Sequence, residues 1–293
     1  KIISPQTLGR LHLTKSCNLG DEITPAILIW PTISMPKLLA VSDMGRVALV
    51  KWEFAGQNPG NITKFLPGGL EGENIVNLLP LKNEKDLSLG LLSNDGRFKR
   101  LRLKEVIELS GRASTIVKLK EGILLKSAVI CYPNGNLIIA SNIGRVMKLR
   151  VNETNLPIMG KLAQGPTTIK LLSNELISGV ISTPQNSDKS ITVITEHGRI
   201  IKKEISSLRD CNRGYFGEML INSKESKNLL NDKVVDICLG NDMIGLITNL
   251  NRKGRLDGNQ IKEKNLAINN LLQLKEKEVI VKLIPLIQSG DEI

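Results

Sequence analysis

Short apolar runs alternate with polar turns along this chain, and one arrangement of the two recurs five times. In Leu91–Lys104, LLSNDGRFKRLRLK, an apolar run meets a polar turn, the pair Gly96-Arg97 follows, and a second run alternates cations with leucines. The same order is read in Leu39–Lys51 (LAVSDMGRVALVK), Ile138–Arg150 (IIASNIGRVMKLR), Ile191–Glu204 (ITVITEHGRIIKKE) and Leu246–Leu256 (LITNLNRKGRL). With Gly45, Gly96, Gly144, Gly198 and Asn251 as marks, subtraction places successive repeats 51, 48, 54 and 53 residues apart. Alternation on both sides of a tight turn predicts a β-hairpin whose Gly supplies a positive φ. Hairpins repeating at this period predict a propeller or a related array of blades.

Each repeat carries a second pattern twenty to thirty residues before its Gly-Arg turn: Thr14–Ile23, Phe65–Ile75, Ile116–Leu125, Ile169–Ile177 and Leu229–Val235. These read as strand, polar turn and apolar strand, so a period holds about four short strands, the content of one blade. Leu271–Ile293 holds only the opening half of a repeat, and Lys1–Thr7 (KIISPQT) resembles the closing strand Lys202–Leu208 (KKEISSL). Pairing of the first strand with the last partial blade would remove exposed sheet edges. The expectation is therefore an all-β single domain over 1–293. Its six four-stranded blades run approximately 8–58, 59–110, 111–160, 161–217, 218–268, and 269–293 paired with 1–7. Gly and Pro mark the links Phe54–Gly60, Ser110–Ala113, Met159–Pro166 and Asp210–Gly217. Leucine spacing in Lys224–Asn231 and Lys262–Leu272 fits short helices.

A solvated charged face explains any one basic strand, but not its recurrence. Four residues past the mark stand Leu49, Arg100, Lys148, Lys202 and Arg255; six past stand Lys51, Arg102, Arg150 and Glu204. The positions between are mostly apolar: Val50, Leu101, Leu103, Leu149 and Val151. Strand alternation then predicts apolar residues inward and cations outward, with Arg46, Arg97, Arg145, Arg199 and Arg252 directly after the turns. A radial array would join these into a basic belt, and the arginine fork suits phosphate oxygens.

Charge supports that picture, since 40 Lys and Arg against 29 Asp and Glu give a formal +11, which favours a polyanionic partner. No recognition helix or zinc finger is visible, so contacts are expected to the duplex backbone rather than to base edges. Tyr132, Tyr215, Trp30 and Trp52 are too scattered to make a single-strand stacking platform. Cys17, Cys131, Cys211 and Cys238 lack any CxxC, and the only histidines are His12 and His197. This predicts reduced core cysteines in a cytoplasmic protein and no metal site. His197 reads as an exposed turn residue. A propeller hydrolase would gather carboxylates or histidines at a central channel, whereas Asp43, Asp95 and Glu196 sit at hairpin tips. No apolar run approaches the ~18 residues of a spanning helix, and the start at Lys1, without Met or a signal peptide, points to a piece of a longer chain.

The ordered hairpins of the SNDGR-FKRLRL and TEHGR-IIKKEISSL type, with the KLKEG and LGDEI turns that open repeats, resemble the C-terminal domain of the A subunit of bacterial type IIA topoisomerases, DNA gyrase or topoisomerase IV. The resemblance covers nearly the whole chain. It implies a six-bladed β-pinwheel, with strands exchanged between neighbouring blades, whose perimeter binds, bends and wraps duplex DNA. It also implies two partners, a cleavage core in the same polypeptide and the ATPase B subunit, together with a nucleoid location. ATP and Mg belong by the same resemblance to the parent enzyme, with no cofactor or catalytic residue here. The family's Gln-Arg-Arg-Gly-Gly-Lys-Gly box has no copy. Its degenerate candidates are Thr7–Arg10, Ser110–Ala113 and Arg209–Gly217, the last adding Arg209 and Arg213 to the DNA-binding set. Tyr132 and Tyr215 are assigned no chemistry. The competing expectation is a protein-interaction propeller with an incidental basic rim.

Overall fold

The computed structural model describes residues 37–51, 54, 61–81, 86–109, 111–220, 232–240, 243–250, 252–258, 261, 266–267 and 274–286. The expected closing strand Lys1–Thr7, the opening pattern Thr14–Ile23 and the helix at Lys224–Asn231 lie outside them. Each Gly-Arg sequence is a hairpin: β1 (Lys37–Ser42) with β2 (Arg46–Leu49), β4 (Ser88–Ser93) with β5 (Phe98–Arg102), and β8 (Asn136–Ser141) with β9 (Arg145–Arg150). The last two are β11 (Ser190–Thr195) with β12 (Arg199–Glu204), and β16 (Met243–Thr248) with β17 (Lys253–Asp257).

A further strand follows each hairpin in the chain and joins its first strand antiparallel: β3 (Ile75–Leu81), β7 (Leu125–Cys131), β10 (Ile177–Thr183), β15 (Val234–Leu239) and β19 (Ile280–Leu286). The sheets and the sequence repeats are therefore different units. Every hairpin is completed by the opening strand of the next repeat. These opening strands also pack in series, β3 beside β7, β7 beside β10, β10 beside β15 and β15 beside β19, which makes them the inner edge of successive sheets. On the opposite edge sit short strands: β6 (Ser114–Thr115) on β2, β13 (Asp210–Cys211) and β14 (Glu218–Met219) on β9, and β18 (Leu266–Ala267) on β12. The Lys262–Leu272 segment thus contains an extended pair at Leu266–Ala267 rather than a helix there. A helical turn not read from the sequence, α1 (Lys104–Ile107), follows β5, because Leu103, Val106 and Ile107 are spaced to drop one apolar face into the core.

The core fills the spaces between sheets with Leu, Ile and Val. Leu39, Leu89, Leu101 and Ile116 pack in one such layer, and Leu137, Met147, Leu149 and Ile169 in the next. Cys131 and Cys238 are buried free thiols, and burial pushes Cys131 up to about 12. Cys211 is only half-buried, unlike the core position expected of it, because it lies on the outer edge strand β13.

Turn geometry explains the glycines. The Gly96 N–H donates to the Ser93 carbonyl at 3.1 Å, and its φ is +81°. A Cβ there would collide with the Ile169 carbonyl oxygen, in backbone that cannot yield as a side chain would. Gly72 has a φ of +76° but no neighbour within 4 Å of a built Cβ. Gly72→Ala should cost about 1–2 kcal/mol of unfolding free energy through backbone strain alone. Gly96→Ala should cost clearly more, and equal losses in urea titrations would show that close approach of the next segment is unimportant.

Candidate nucleic-acid interface

The residue after each turn does not point uniformly to solvent. Arg145 is buried, donates from Nε to Glu175 Oε1 at 2.8 Å, pairs with Oε2, and donates to the carbonyls of Phe216 (2.6 Å) and Lys170 (3.1 Å). Arg46 Nε donates to Glu73 Oε1 at 2.6 Å and its Nη2 pairs with the same oxygen, and Arg252 Nη1 reaches Glu278 at 2.5 Å. Glu73, Glu175 and Glu278 each lie two residues before an inner strand or its approach, at Ile75, Ile177 and Ile280. The Gly-Arg arginine is thus a latch between a hairpin and the next repeat. Burial works against the Glu175 charge, yet hydrogen bonds from Arg145 and the Leu172 N–H hold its carboxyl below the ordinary value; burial and the corresponding bonds from Lys275 N–H, Thr248 and Arg252 do the same at Glu278. In the second hairpin Ile123 takes the glutamate position, and Arg97 turns instead to Asp95 and the Gly165 carbonyl. In the fourth, Asp232 accepts from Thr195 and the His197 N–H, and His197 is exposed, as the turn reading expects.

The cations four past the mark form a second fastener. Arg100 Nε donates to the Leu156 carbonyl at 2.7 Å, Lys148 Nζ to Ile205 at 3.1 Å and Lys202 Nζ to Gly258 at 3.0 Å. Arg100 is 5% exposed and Lys148 7%. Expected outward, these two and Arg145 face protein, because the β4–β5 and β8–β9 sheets each lie between two neighbouring sheets and alternation separates two dry faces instead of a dry and a wet one. The apolar half of the reading holds, with Leu101, Leu103, Leu149 and Val151 buried. Lys99 is buried as well, its amine on the Ile116 carbonyl and pushed down to about 8 by desolvation.

Solvent-facing charge lies at strand ends and links. Lys51, Arg102, Arg209 and Arg213 are exposed, while Arg150, Arg199 and Lys202 are half-exposed; Arg150 also holds the Asn134 carbonyl. Arg255 lies in β17, and its side chain is outside the described set. The hairpin pattern misses Arg112, Lys161 and Lys170, all exposed. Arg112, Lys161 and Arg213 occupy three successive links that run onto the outer edge, reaching β2 through Ser114–Thr115, β5 through Pro166 and Thr167, and β9 through Glu218–Met219. The signal was a basic residue beside Gly in each link, at Gly111, Gly160 and Gly214. No cluster of three or more His, Cys, Asp or Glu is gathered among the described residues, and no helix there is long and apolar enough to cross a membrane.

Two consequences can be measured. Glu175→Gln leaves the Arg145 charge buried without its counter-ion and should cost about 3–5 kcal/mol, a loss larger than the pair contributes; chemical denaturation showing under about 1 kcal/mol would contradict the latch. On the inner strand β15, burial raises the Asp236 carboxyl to about 7, with Lys126 and Lys282 opposing the rise. Its folded value exceeds the unfolded one, so its contribution is complete below about pH 4 and is lost as pH rises through about 7. Asp236→Asn should flatten stability between about pH 4 and 7, relative to the parent.

The profile of the family described as DNA gyrase C-terminal domain, beta-propeller, matches residues 91–125 and 135–184. The A subunit of DNA topoisomerase 4 from Synechocystis sp. is 29% identical over 145 residues, 46% of this chain and 15% of that protein, so this chain spans a small part of the relative's length. Among solved structures, a DNA gyrase A C-terminal domain superposes with a TM-score of 0.70 at 18% identity, covering 87% of this chain and 84% of the other. A DNA topoisomerase IV C-terminal domain gives 0.68 at 15%, with 85% and 78% covered, and the E. coli ParC C-terminal domain 0.52 at 17%, with 75% and 86%. The residues that match the family model lie in the second and third hairpins and the segments that follow them, and the fold of the chain is similar to that of the solved gyrase A and topoisomerase IV C-terminal domains.

Proposed function

We propose that this chain binds duplex DNA along its outer perimeter without reading sequence, and bends or wraps it so that a segment is presented to a topoisomerase core for strand passage and control of supercoiling. The observation that carries the reading is the exposed cation in each of three successive outer-edge links, Arg112, Lys161 and Arg213, joined by Lys51, Arg102, Lys170 and Arg209. The net charge of +11 has the required sign. We place the strand-passage chemistry, with its ATP and Mg, in a cleavage core and a B subunit outside this chain, which acts as an accessory domain in the cytoplasm, at the nucleoid. A sixth blade shared between the termini would complete a ring of four-stranded blades and give the perimeter no break.

Bending a 20–30 bp site by 40–90° costs on the order of 1–6 kcal/mol, which phosphate neutralisation must exceed. If about six cations each engage a phosphate, log K should fall against log salt with a slope of roughly −5. Replacing Arg112, Lys161 and Arg213 by Ala should make that slope shallower by about 0.9 per residue without lowering Tm. Arg46→Ala, whose charge is held by Glu73, should lower Tm and leave the slope nearly unchanged. Fluorescence anisotropy on a labelled duplex reads the slopes and thermal melting reads Tm; a slope near zero in the parent would overturn DNA binding and favour a protein-interaction propeller.

A further inference from the structure

The link that follows β12 presents aromatic surface where a perimeter of phosphate contacts alone would need none. Tyr215 is 62% exposed and Phe216 43%. Their backbone is fastened. The Gly214 N–H donates to the Thr168 carbonyl at 2.7 Å, the Tyr215 carbonyl accepts from Lys170 N–H at 2.9 Å, and the Phe216 carbonyl accepts from Arg145. The Phe216 ring centroid lies 5.0 Å from the Arg145 guanidinium and 6.0 Å from Lys170 Nζ, contacts that hold this ring in place next to Tyr215 in the chain. Arg209 and Arg213 precede the pair in the same link and are exposed, while the acids of that link are engaged elsewhere, Asp210 with Lys148 and Glu218 with Lys203. The preceding link repeats the combination in smaller form: Leu162, beside Lys161, is 52% exposed and is held at a φ of +72°, a conformation that costs a non-glycine residue about 1–2 kcal/mol.

We propose that Tyr215, supported by Phe216, is a wedge that enters the groove of the bound duplex and unstacks one base step, so that the bend is localised at this link, and that Leu162 makes a lesser contact of the same kind. The charge around it selects a polyanion, and apolar side chains inserted between base steps kink DNA by roughly 20–90°. A fastened backbone delivers the ring without a loss of loop entropy at binding. Isolated aromatics make no platform, so the sequence pattern leaves both tyrosines without a role; only the fold exposes Tyr215 and Phe216 side by side in a link that carries exposed cations on an outer edge.

The inference rests on DNA binding as proposed above, and the test separates the two. The whole chain is titrated onto a duplex of about 30 bp carrying 2-aminopurine at successive positions and a donor and acceptor at its ends. The parent should raise 2-aminopurine fluorescence at one step and shorten the end-to-end distance. Tyr215→Ala should keep the salt slope and Tm, lose the fluorescence rise, reduce bending, and weaken binding about tenfold; Tyr215→Phe should retain most of the parent signal. Parent binding with no fluorescence rise, or a Tyr215→Ala protein equal to the parent, overturns the wedge and leaves DNA binding standing. A parent that binds no DNA overturns both.

Discussion

Each hairpin depends on a strand that the chain makes later. β1 and β2 are joined by their own turn, but the free edge of β1 is satisfied only when β3 arrives from the next repeat. A lone hairpin is marginal in water, and an open edge invites wrong partners. The same exchange recurs at β4 with β7, β8 with β10, β11 with β15 and β16 with β19. Backbone bonds secure each exchange at the turn: the N–H groups of Asp43, Asn94, Asn142, Glu196 and Asn249 all donate to the residue just before the incoming strand or on its approach. Carbonyls of three of these residues accept from the inner strand one repeat further on, at Leu125, Val234 and Ile280. Neighbouring sheets are thereby tied through their hairpin tips.

That constraint accounts for where the positive charge goes. A hairpin gripping the following repeat offers carbonyls and a glutamate at set distances, and the cations placed one and four past the turn consume them. Burying a guanidinium is costly unless its donors are filled, and Arg145 fills its own with two carboxylate oxygens and two carbonyls. Such pairs add little net stability but penalise any arrangement that leaves one partner alone, which favours this exchange over a misregistered one. Where the glutamate is absent, at Ile123, Arg97 stays half-exposed and keeps only a local carboxylate and a carbonyl.

Charge devoted to the interior is lost to any ligand, so the perimeter is made by a different set of residues. Among the described residues the links that climb to the outer edge have no further sheet beyond them, and Arg112, Lys161 and Arg213 stay in solvent. The sequence holds no Gln-Arg-Arg-Gly-Gly-Lys-Gly box, yet the Arg209–Gly217 link carries two arginines, two glycines and an aromatic pair. On the proposed reading, a perimeter of this composition would hold a DNA backbone through separate phosphate contacts and concentrate deformation at one place.

The hairpins were legible in the sequence because strand alternation and the Gly at each turn are local properties, governed by φ and by which neighbours share a face. So were the repeat, the all-β class and the inward leucines at Leu101, Leu103 and Leu149, since burying them is favourable in any packing of those strands. The opposite face was not legible. Alternation separates two faces but does not say which one meets water, and here neighbouring sheets cover both, which turned Arg100, Arg145 and Lys148 into internal fasteners. The exposed links and the exchange of strands between repeats were likewise decided by tertiary structure. They depend on which distant segment lies against an edge, and that is a matter of contacts between residues far apart in the chain, which no local pattern encodes.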